Sequence, residues 1–454
     1  MVPLFCKKKH PPHCGGCFFP VIQSSFTFVI LILMRKNLST AIFFVIILTA
    51  GVGIAYVIEN YGSSPERTPR ETTPPRGTTP PTATPPTQPP QGGSIEPPAP
   101  PPPVPTSNLT YTYDAKFEPP TGRIVHGMGQ WINYNTQYVA LFSESYKPAS
   151  ELIFIDIGDT PRGWEPVKIK GALVKMGAEG RIPSIDIGLR GLKFSKAELD
   201  AMADPLFGID DELVAGSSKY EARVNDVITI VKEFKKPVMV RIGGEFSGWW
   251  NGYHPYEYPK AFRKIVNMFR SAGVENVAFI WCYEPAAAND FDEKNAAGEY
   301  KWFPGNDVVD WYGIDLFANK DISGSSQTAA GVLTNYGKTL RFLDFAKVNN
   351  KPVYLAETSP SDVKITTSVE DGKTDWEAWF KPYFALMSAH PQIKWFHYIN
   401  YDWGKTNSGE IQGWQNADIS INSYISSQFV AEMKKPGYLH LPEKYLLKDY
   451  TLYN

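Results

Sequence analysis

The chain has 454 residues, a formal net charge of −2 and an apolar fraction of 43%. A chain of this length and composition can bury a large core, and its near-neutral charge excludes nucleic acid as an expected partner. Aromatic residues make up 14% of the sequence, and the 12 tryptophans among them suit a protein that stacks side chains against flat apolar faces of a ligand.

Residues 1–37 form an N-terminal extension. Met34 begins a segment with the basic flank of a chain start, so we expect residues 1–33 to result from an upstream, mis-called start. The cysteines and histidines of the extension do not complete the ligand pattern of a zinc site, and no metal is predicted. Cys282 is the one cysteine beyond the extension, which excludes a disulfide framework.

Residues 38–58 form an uncharged run of 21 residues, LSTAIFFVIILTAGVGIAYVI, which is long enough to span a bilayer. Arg35 and Lys36 lie just before the run, and this positive flank predicts that the chain after residue 58 lies outside the cytoplasm. The length of the run favours a retained transmembrane anchor over a cleaved signal peptide. We therefore expect a protein anchored at the cell surface, with secretion as the alternative.

The next segment is dominated by proline. Residues 62–107 hold 17 of the 39 prolines, together with many threonines and few apolar side chains. Such a composition cannot bury enough surface to fold, and proline-rich chains are extended and semi-rigid. We expect residues 59–108 to be a disordered Pro/Thr-rich stalk that holds the following domain away from the membrane.

Residues 109–454 contain eight short apolar runs, each followed by a segment with helical spacing or by a long loop. Near-continuous apolarity is typical of parallel strands that are covered on both faces. The eight runs are 123–131, 151–158, 181–189, 237–246, 276–285, 308–317, 352–359 and 393–401, and the helix candidates are 224–234, 258–273, 337–350 and 376–390. This alternation predicts an α/β fold, a (β/α)8 TIM barrel. An open doubly wound sheet is the alternative, but no glycine-rich phosphate loop follows the first strand.

Two glutamates end two of these runs. Glu245 lies at the end of KPVMVRIGGEF and Glu357 at the end of KPVYLAET. Active sites of TIM barrels lie at the carboxyl ends of the strands, so both side chains are expected at one rim. Cleavage of a glycosidic bond with retention of configuration requires two such carboxyl groups, one as acid and one as nucleophile. The sequence therefore predicts Glu245 on strand four and Glu357 on strand seven as a catalytic pair.

The segments around both glutamates resemble glycoside hydrolase family 26, and the resemblance covers most of residues 120–405. It rests on RIGGEFSGWWNGYHPYEYPKAFRKIVNMFRSAGVENVAFIW (241–281), FPGNDVVDWYGIDLF (303–317) and KPVYLAETS (351–359). The resemblance implies a mannanase-like barrel in which Glu245 is the general acid/base and Glu357 the nucleophile of a double displacement.

Two positions depart from the pattern of this family. Gly244 stands where most members carry a histidine directly before the acid/base, and Phe317 stands where many carry a tyrosine near the nucleophile. The first departure removes a hydrogen-bonding side chain beside the scissile bond, and the second removes a phenol that could orient Glu357. Neither departure removes an essential carboxyl group.

Further residues at strand ends are candidates for contact with sugar. An exposed indole covers the apolar face of a pyranose, and polar groups near it can bond to hydroxyls. The predicted substrate-binding residues are Arg241, Trp249, Trp250, Asn251, Tyr312, Asp315 and Trp403.

The predicted function is that of an extracellular endo-β-glycanase that hydrolyses β-1,4-mannan as a monomeric catalytic domain. Its partners would be the polysaccharide and, through residues 38–58, the membrane; neither a cofactor nor a metal is implied. A β-glucanase or a β-1,3-xylanase of the same fold is the alternative. A surface barrel that binds glycan without cutting it is an alternative of another class, although a binder has no need for two paired carboxyl groups.

Overall fold

The structure, a computed structural model, describes residues 109–130, 132–159, 164–191, 206–405 and 413–453. The predicted extension (1–37), membrane segment (38–58) and stalk (59–108) lie outside the described residues. Within the described ranges, no helix combines the length and the apolar character needed to cross a bilayer.

Eight parallel strands form a closed barrel. The strands are β1 (Ile124–Gly129), β2 (Ser150–Asp156), β3 (Ile182–Gly188), β4 (Val238–Glu245), β5 (Val277–Tyr283), β6 (Trp311–Leu316), β7 (Val353–Thr358) and β8 (Ile393–Ile399). Each strand pairs with the next, and β1 pairs with both β8 and β2, which closes the sheet. A short ninth strand, β9 (Tyr438–Leu439), pairs with the start of β1. All eight predicted strands and the predicted TIM barrel are confirmed.

Helices surround the barrel. They are α1 (Ile132–Ala140), α2 (Pro166–Ala178), α3 (Asp210–Val214), α4 (Ser218–Phe234), α5 (Glu257–Ser271), α6 (Asn319–Ile322), α7 (Asn335–Val348), α8 (Val369–Asp375), α9 (Lys381–Ala389) and α10 (Ser423–Met433), with a π-helical turn at Trp376–Phe380 before α9. The four helix candidates correspond to α4, α5, α7 and the π turn with α9, with ends that differ by a few residues. In α5, for example, Phe262, Ile265 and Phe269 are buried one turn apart, whereas Lys260 is exposed.

One end of the barrel is sealed by segments from both ends of the described domain, and we call it the closed end. The Phe117 ring is fully buried beneath the strands, together with Leu447 and Tyr450. The buried Glu118 carboxyl accepts hydrogen bonds from three main-chain N–H groups of residues 112–115, and its carbonyl accepts one from the Lys448 N–H at 2.9 Å. The opposite end contains the carboxyl ends of the strands, where active sites of TIM barrels lie, and we call it the mouth.

Candidate active site

A bulge near the end of β4 directs Glu245. Arg241 is in register with Ile280 of β5, yet Glu245 is in register with Cys282, so four steps along β4 match two along β5. The extra residues are accommodated by Gly243 and Gly244, whose φ angles of +82° and +56° lie in the left-handed region. A bulge of this kind re-aims the side chain that follows it.

Two side chains of the loop after β4 hold Glu245 in place. The Trp250 indole N–H donates to Glu245 Oε2 at 2.6 Å, and the Asn251 amide donates to the Glu245 carbonyl oxygen at 2.7 Å. Part of the Glu245 side chain stays open at the mouth, but most of its hydration is lost. This loss of water raises the pKa of Glu245 to about 8, and the nearby charges of Glu357 and Glu284 add to the rise. The raised pKa favours the protonated form of Glu245 at neutral pH.

The Glu357 carboxyl is held by a different set of donors. Arg241 donates to Glu357 Oε1, and the Gln130 amide lies 3.5 Å from Oε2. The Glu357 main-chain N–H donates to Asp315 Oδ1 at 2.7 Å. The residue is 8% exposed, so its carboxyl group lies at the base of the mouth, facing a guanidinium.

Arg241 is the centre of a buried charge cluster. Its guanidinium donates to Asp186 Oδ2 at 2.5 Å and to Asp315 Oδ2 at 2.5 Å, in addition to Glu357. Burial raises the pKa of Asp186 to about 6 and that of Asp315 well above its usual value, while Arg241 opposes both shifts. One cation faces three carboxyl groups, so the two deeper aspartates bind protons more readily than exposed aspartates do.

A third glutamate, Glu284, lies directly after β5. Its side chain is buried, its Oε2 has no hydrogen-bond partner in the structure, and burial raises its pKa to about 8. The Ser247 hydroxyl donates to the Glu284 carbonyl at 3.2 Å and accepts from its N–H at 3.0 Å. Because Ser247 is two residues after Glu245, this pair of bonds joins Glu284 to the loop that carries the predicted acid.

The structure brings most of the predicted site residues together but gives them different surroundings. Trp249, at 40% exposed, presents its ring at the mouth, whereas Trp250 and Asn251 hold Glu245. Arg241 and Asp315 are 1% and 0% exposed, so they lie beneath Glu357 and offer no surface to a ligand.

One predicted binding residue, Tyr312, lies away from the mouth, and another, Trp403, is enclosed among side chains at the strand ends. Tyr312 is on the outer face of β6, where its ring stacks on Phe345 of α7 and its hydroxyl donates to Asn306 at 2.8 Å. The structure therefore does not bring Tyr312 to the mouth. Trp403 is 6% exposed, and its indole N–H donates to the Ser359 hydroxyl at 3.0 Å just beyond β7.

The two departures from the family pattern have structural counterparts. A Cβ on Gly244 would lie 3.3 Å from Asp186 Oδ2, so any side chain there begins against the charge cluster. Phe317 follows β6 and packs against Trp414, with ring centroids 4.6 Å apart and the ring planes tilted by 41°. The Phe317 ring, at the position of the missing phenol, belongs to a small apolar cluster with Trp403.

Sequence reasoning missed Asp186 and Gln130. Asp186 is the one charged residue in the apolar run 181–189 apart from its first residue, and a lone acid in a buried strand requires a partner. That signal was available. Gln130 follows β1 with no distinguishing pattern, and its proximity to Glu357 depends on barrel closure.

One group of side chains in the described ranges has the donor set for a cation. Asp210, Asp211 and His254 place their ligand atoms within 4.8 Å of one another. Both Asp210 oxygens already accept from His254, from its main-chain N–H at 2.8 Å and from its ring at 3.0 Å. The group is satisfied by these internal bonds.

Comparison with known proteins matches the middle of the barrel to one family. The model of glycosyl hydrolase family 26 matches residues 194–356, which contain Glu245 and end directly before Glu357. Two curated relatives, the beta-1,3-xylanase TXYA of Vibrio sp and a beta-1,3-xylanase of Alcaligenes sp, are each 27% identical over 49% of this chain. The middle part of the barrel, residues 194–356, is therefore similar to glycosyl hydrolase family 26.

The chain spans about half the length of the curated relatives it matches, 49% and 48%. Among solved structures of family 26, GH26C from Muricauda sp. MAR_2010_75 is 17% identical, with a TM-score of 0.46 and coverage of 74% of this chain and 90% of that one. A GH26 beta-mannanase from Bacteroides ovatus is 15% identical, with a TM-score of 0.42 and coverage of 71% and 90%.

Proposed function

We propose that the barrel is a retaining endo-β-glycanase in which Glu245 is the acid/base and Glu357 the nucleophile. One observation carries the proposal: two carboxyl groups at the ends of β4 and β7 have opposite surroundings. Glu245 has lost its hydration and has a pKa of about 8, whereas Glu357 faces the Arg241 guanidinium. Glycosidases that proceed by double displacement use such a pair.

In the first step, the Glu357 carboxylate attacks the anomeric carbon while Glu245 donates its proton to the leaving oxygen. The bond to the leaving sugar breaks, and a glycosyl ester forms on Glu357. In the second step, Glu245, now ionised, takes a proton from water, and the water oxygen displaces Glu357 from the same carbon. The bulge at Gly243 and Gly244 and the bond from Trp250 fix Glu245 for both transfers.

For the polymer, β-1,3-xylan is the first candidate, because both curated relatives are named beta-1,3-xylanases. β-1,4-Mannan is the second candidate, since the segments around Glu245 and Glu357 resemble family members of the mannanase type. The backbone sugar and linkage depend on the loops around the mouth.

The N-terminal sequence supports a proposal about the location of the protein. We propose that residues 38–58 anchor it in a membrane, with the barrel as a monomer outside the cell. The support is the apolar length of this run and its basic flank. Extraction of membranes with carbonate and with detergent tests the anchor, since a cleaved protein would stay in the soluble fraction.

The test of activity is release of reducing sugar from β-1,3-xylan, β-1,4-mannan, mixed-linkage glucan and cellulose, with Glu357→Ala and Glu245→Ala alongside. Activity on one polymer that both substitutions abolish supports the proposal, and short products of mixed length show internal cleavage. Azide then separates the roles. With an aryl glycoside, azide added to Glu357→Ala should give the inverted glycosyl azide, and azide added to Glu245→Ala should give the retained one.

Two results would contradict the proposal. Equal activity of Glu357→Ala and the unsubstituted protein would show that Glu357 is not the nucleophile. Binding of a polymer without hydrolysis would instead identify a non-catalytic surface barrel, the competing function.

A further inference from the structure

Phe154 lies inside the barrel, on a strand that the proposed mechanism does not use. On β2, Ser150 points inward, because its hydroxyl lies 2.9 Å from the His397 ring within the barrel. Side chains alternate along a strand, so Leu152 and Phe154 point to the same side. Leu152 is fully buried, whereas Phe154, two residues nearer the mouth, is 39% exposed.

Phe154 is level with the charge cluster beneath Glu357. It is in register with Asp186 of β3, and Asp186 is in register with Arg241 of β4. The Arg241 guanidinium carbon lies 5.4 Å from the centroid of the Phe154 ring. One part of the phenyl ring therefore covers the cation that donates to Glu357, and the rest is open to the mouth.

Exposure distinguishes this ring from the other aromatic side chains of the barrel. Within the described ranges, Trp249 at 40% and Phe154 at 39% have the largest exposed fractions among the large aromatic hydrophobics. Trp249 is in the loop after Glu245, whereas Phe154 is on a strand beside the Glu357 side of the site. An inward-facing phenyl ring that remains in contact with water is available to cover an apolar surface of a ligand.

We propose that Phe154 is the stacking platform for the glycone, the sugar that becomes bonded to Glu357 or the unit on its non-reducing side. The proposal rests on the proposed function of the site. Its basis is contact: Phe154 touches Arg241, which donates to Glu357, and Glu357 binds the anomeric carbon of the glycone. Trp249 follows the acid Glu245, which faces the leaving oxygen, so its ring serves the leaving sugar.

The test compares two substrates that differ only beyond the scissile bond. One is an oligosaccharide of the cleaved polymer, and the other is an aryl glycoside with the same glycone and a nitrophenol in place of the leaving sugars. Phe154→Ala should lower kcat/KM by about 10- to 100-fold on both substrates, which is the range expected for losing one buried aromatic contact. Trp249→Ala is the matched control, and it should lower kcat/KM on the oligosaccharide alone.

Two more variants separate stacking from support of Arg241. Phe154→Leu keeps an apolar side chain over the guanidinium but has no flat face, so its loss should approach that of Phe154→Ala. Phe154→Trp restores a flat face and should recover most of the activity. Full activity of Phe154→Leu, or a loss in Phe154→Ala that is confined to the oligosaccharide, would overturn the assignment. Thermal unfolding of each variant checks that it is folded.

Binding measured in the Glu357→Ala background distinguishes failure of the platform from failure of the proposed function. If the unsubstituted protein hydrolyses no glycan but Glu357→Ala binds the oligosaccharide, weaker binding after Phe154→Ala supports the platform while the activity is rejected. If hydrolysis occurs and Phe154→Ala leaves it unchanged, the platform alone is overturned. If no tested glycan is hydrolysed or bound, both the platform and the proposed function are overturned.

Discussion

At the scale of single residues, the site depends on Arg241 more than on any other charge. Its planar fork reaches Asp186, Asp315 and Glu357 at once, and the side chain is 1% exposed. A buried guanidinium with three acceptors both holds the predicted nucleophile and offsets the charge of two aspartates. Replacement of this one side chain therefore changes position and electrostatics together.

Arg241→Lys should lower kcat/KM about 100-fold or more, because a single ammonium cannot hold three acceptors and Glu357 loses its alignment. Arg241→Met should in addition lower the free energy of unfolding by about 3–5 kcal/mol, since it leaves buried carboxyl groups without a cation. Steady-state kinetics and urea unfolding measure the two effects. Arg263→Lys is the matched control: its pair with Asp307 is at the surface, and a change within about 1 kcal/mol is expected.

Glu284 provides a pH test. Its charge contributes to the raised pKa of Glu245, so Glu284→Gln should lower that pKa. Glu245 must be protonated to act as an acid, and activity would then be lost at a lower pH. We expect the alkaline limb of the pH profile of kcat/KM to move down by roughly one unit. The control is Glu257→Gln on the outer face of α5, and an unmoved alkaline limb in Glu284→Gln would show that the two glutamates are not coupled.

At the scale of elements, the bulge in β4 is the device that makes a strand end into a site. It requires two consecutive residues with positive φ, which only the pair Gly243 and Gly244 provides without strain. The first of them is also enclosed: a Cβ there would lie 2.5 Å from the ring of Tyr258, whose hydroxyl donates to the Ile242 carbonyl. The bulge therefore depends on glycine for its φ angles and is tightly packed against α5.

Gly243→Ala should destabilise the fold by about 2–4 kcal/mol and reduce kcat/KM, because the strand must shift and Glu245 with it. Gly244→Ala should lower the free energy of unfolding by less, because the nearest atom outside the adjacent residues, Asp186 Oδ2, would be 3.3 Å from the new Cβ. Gly273→Ala isolates the cost of φ alone: its φ is +65°, with no neighbour within 4 Å, and about 1 kcal/mol is expected. The idea fails if Gly243→Ala unfolds no more easily than Gly273→Ala.

The strands were predictable from sequence because parallel strands buried on both faces are apolar throughout. The same property hides which face a residue occupies. Tyr312 was predicted in the site and lies against the helices, while Phe154 was not singled out and lies in the mouth, since neither run shows an alternation that distinguishes inside from outside. Glu245 and Glu357 were predictable because a charged residue at the carboxyl end of a barrel strand lies near the site whichever face of the strand it occupies.

At the scale of the whole molecule, the two ends of the barrel have separate tasks. The mouth holds the partly hydrated carboxyl groups, and the closed end holds Phe117 and Glu118 against the C-terminal segment. Lys394 adds an ammonium 3.7 Å from the Glu118 carboxyl. Stability and activity can thus be altered independently at opposite ends.

Phe117→Ala should lower the free energy of unfolding by about 3–5 kcal/mol, because it empties a fully buried ring site in the closed end. At a temperature where the variant is folded, its kcat/KM should equal that of the unsubstituted protein. Calorimetric unfolding and kinetics on the same sample measure both. Leu452→Ala, in the same region but 72% exposed, should change stability by less than about 0.5 kcal/mol. A loss of activity in folded Phe117→Ala would contradict this separation.

The closed end also sets an order in time during biosynthesis. Glu118 is made early, but the N–H that its carbonyl accepts belongs to Lys448, and the neighbours of the Phe117 ring include Leu447 and Tyr450. At ordinary translation rates, roughly tens of seconds pass between the synthesis of Glu118 and that of Lys448. During that interval the Phe117 ring and the Glu118 carboxyl lack the C-terminal partners that cover them in the folded barrel. The closed end of the barrel can therefore form only after residues 447–450 have been made.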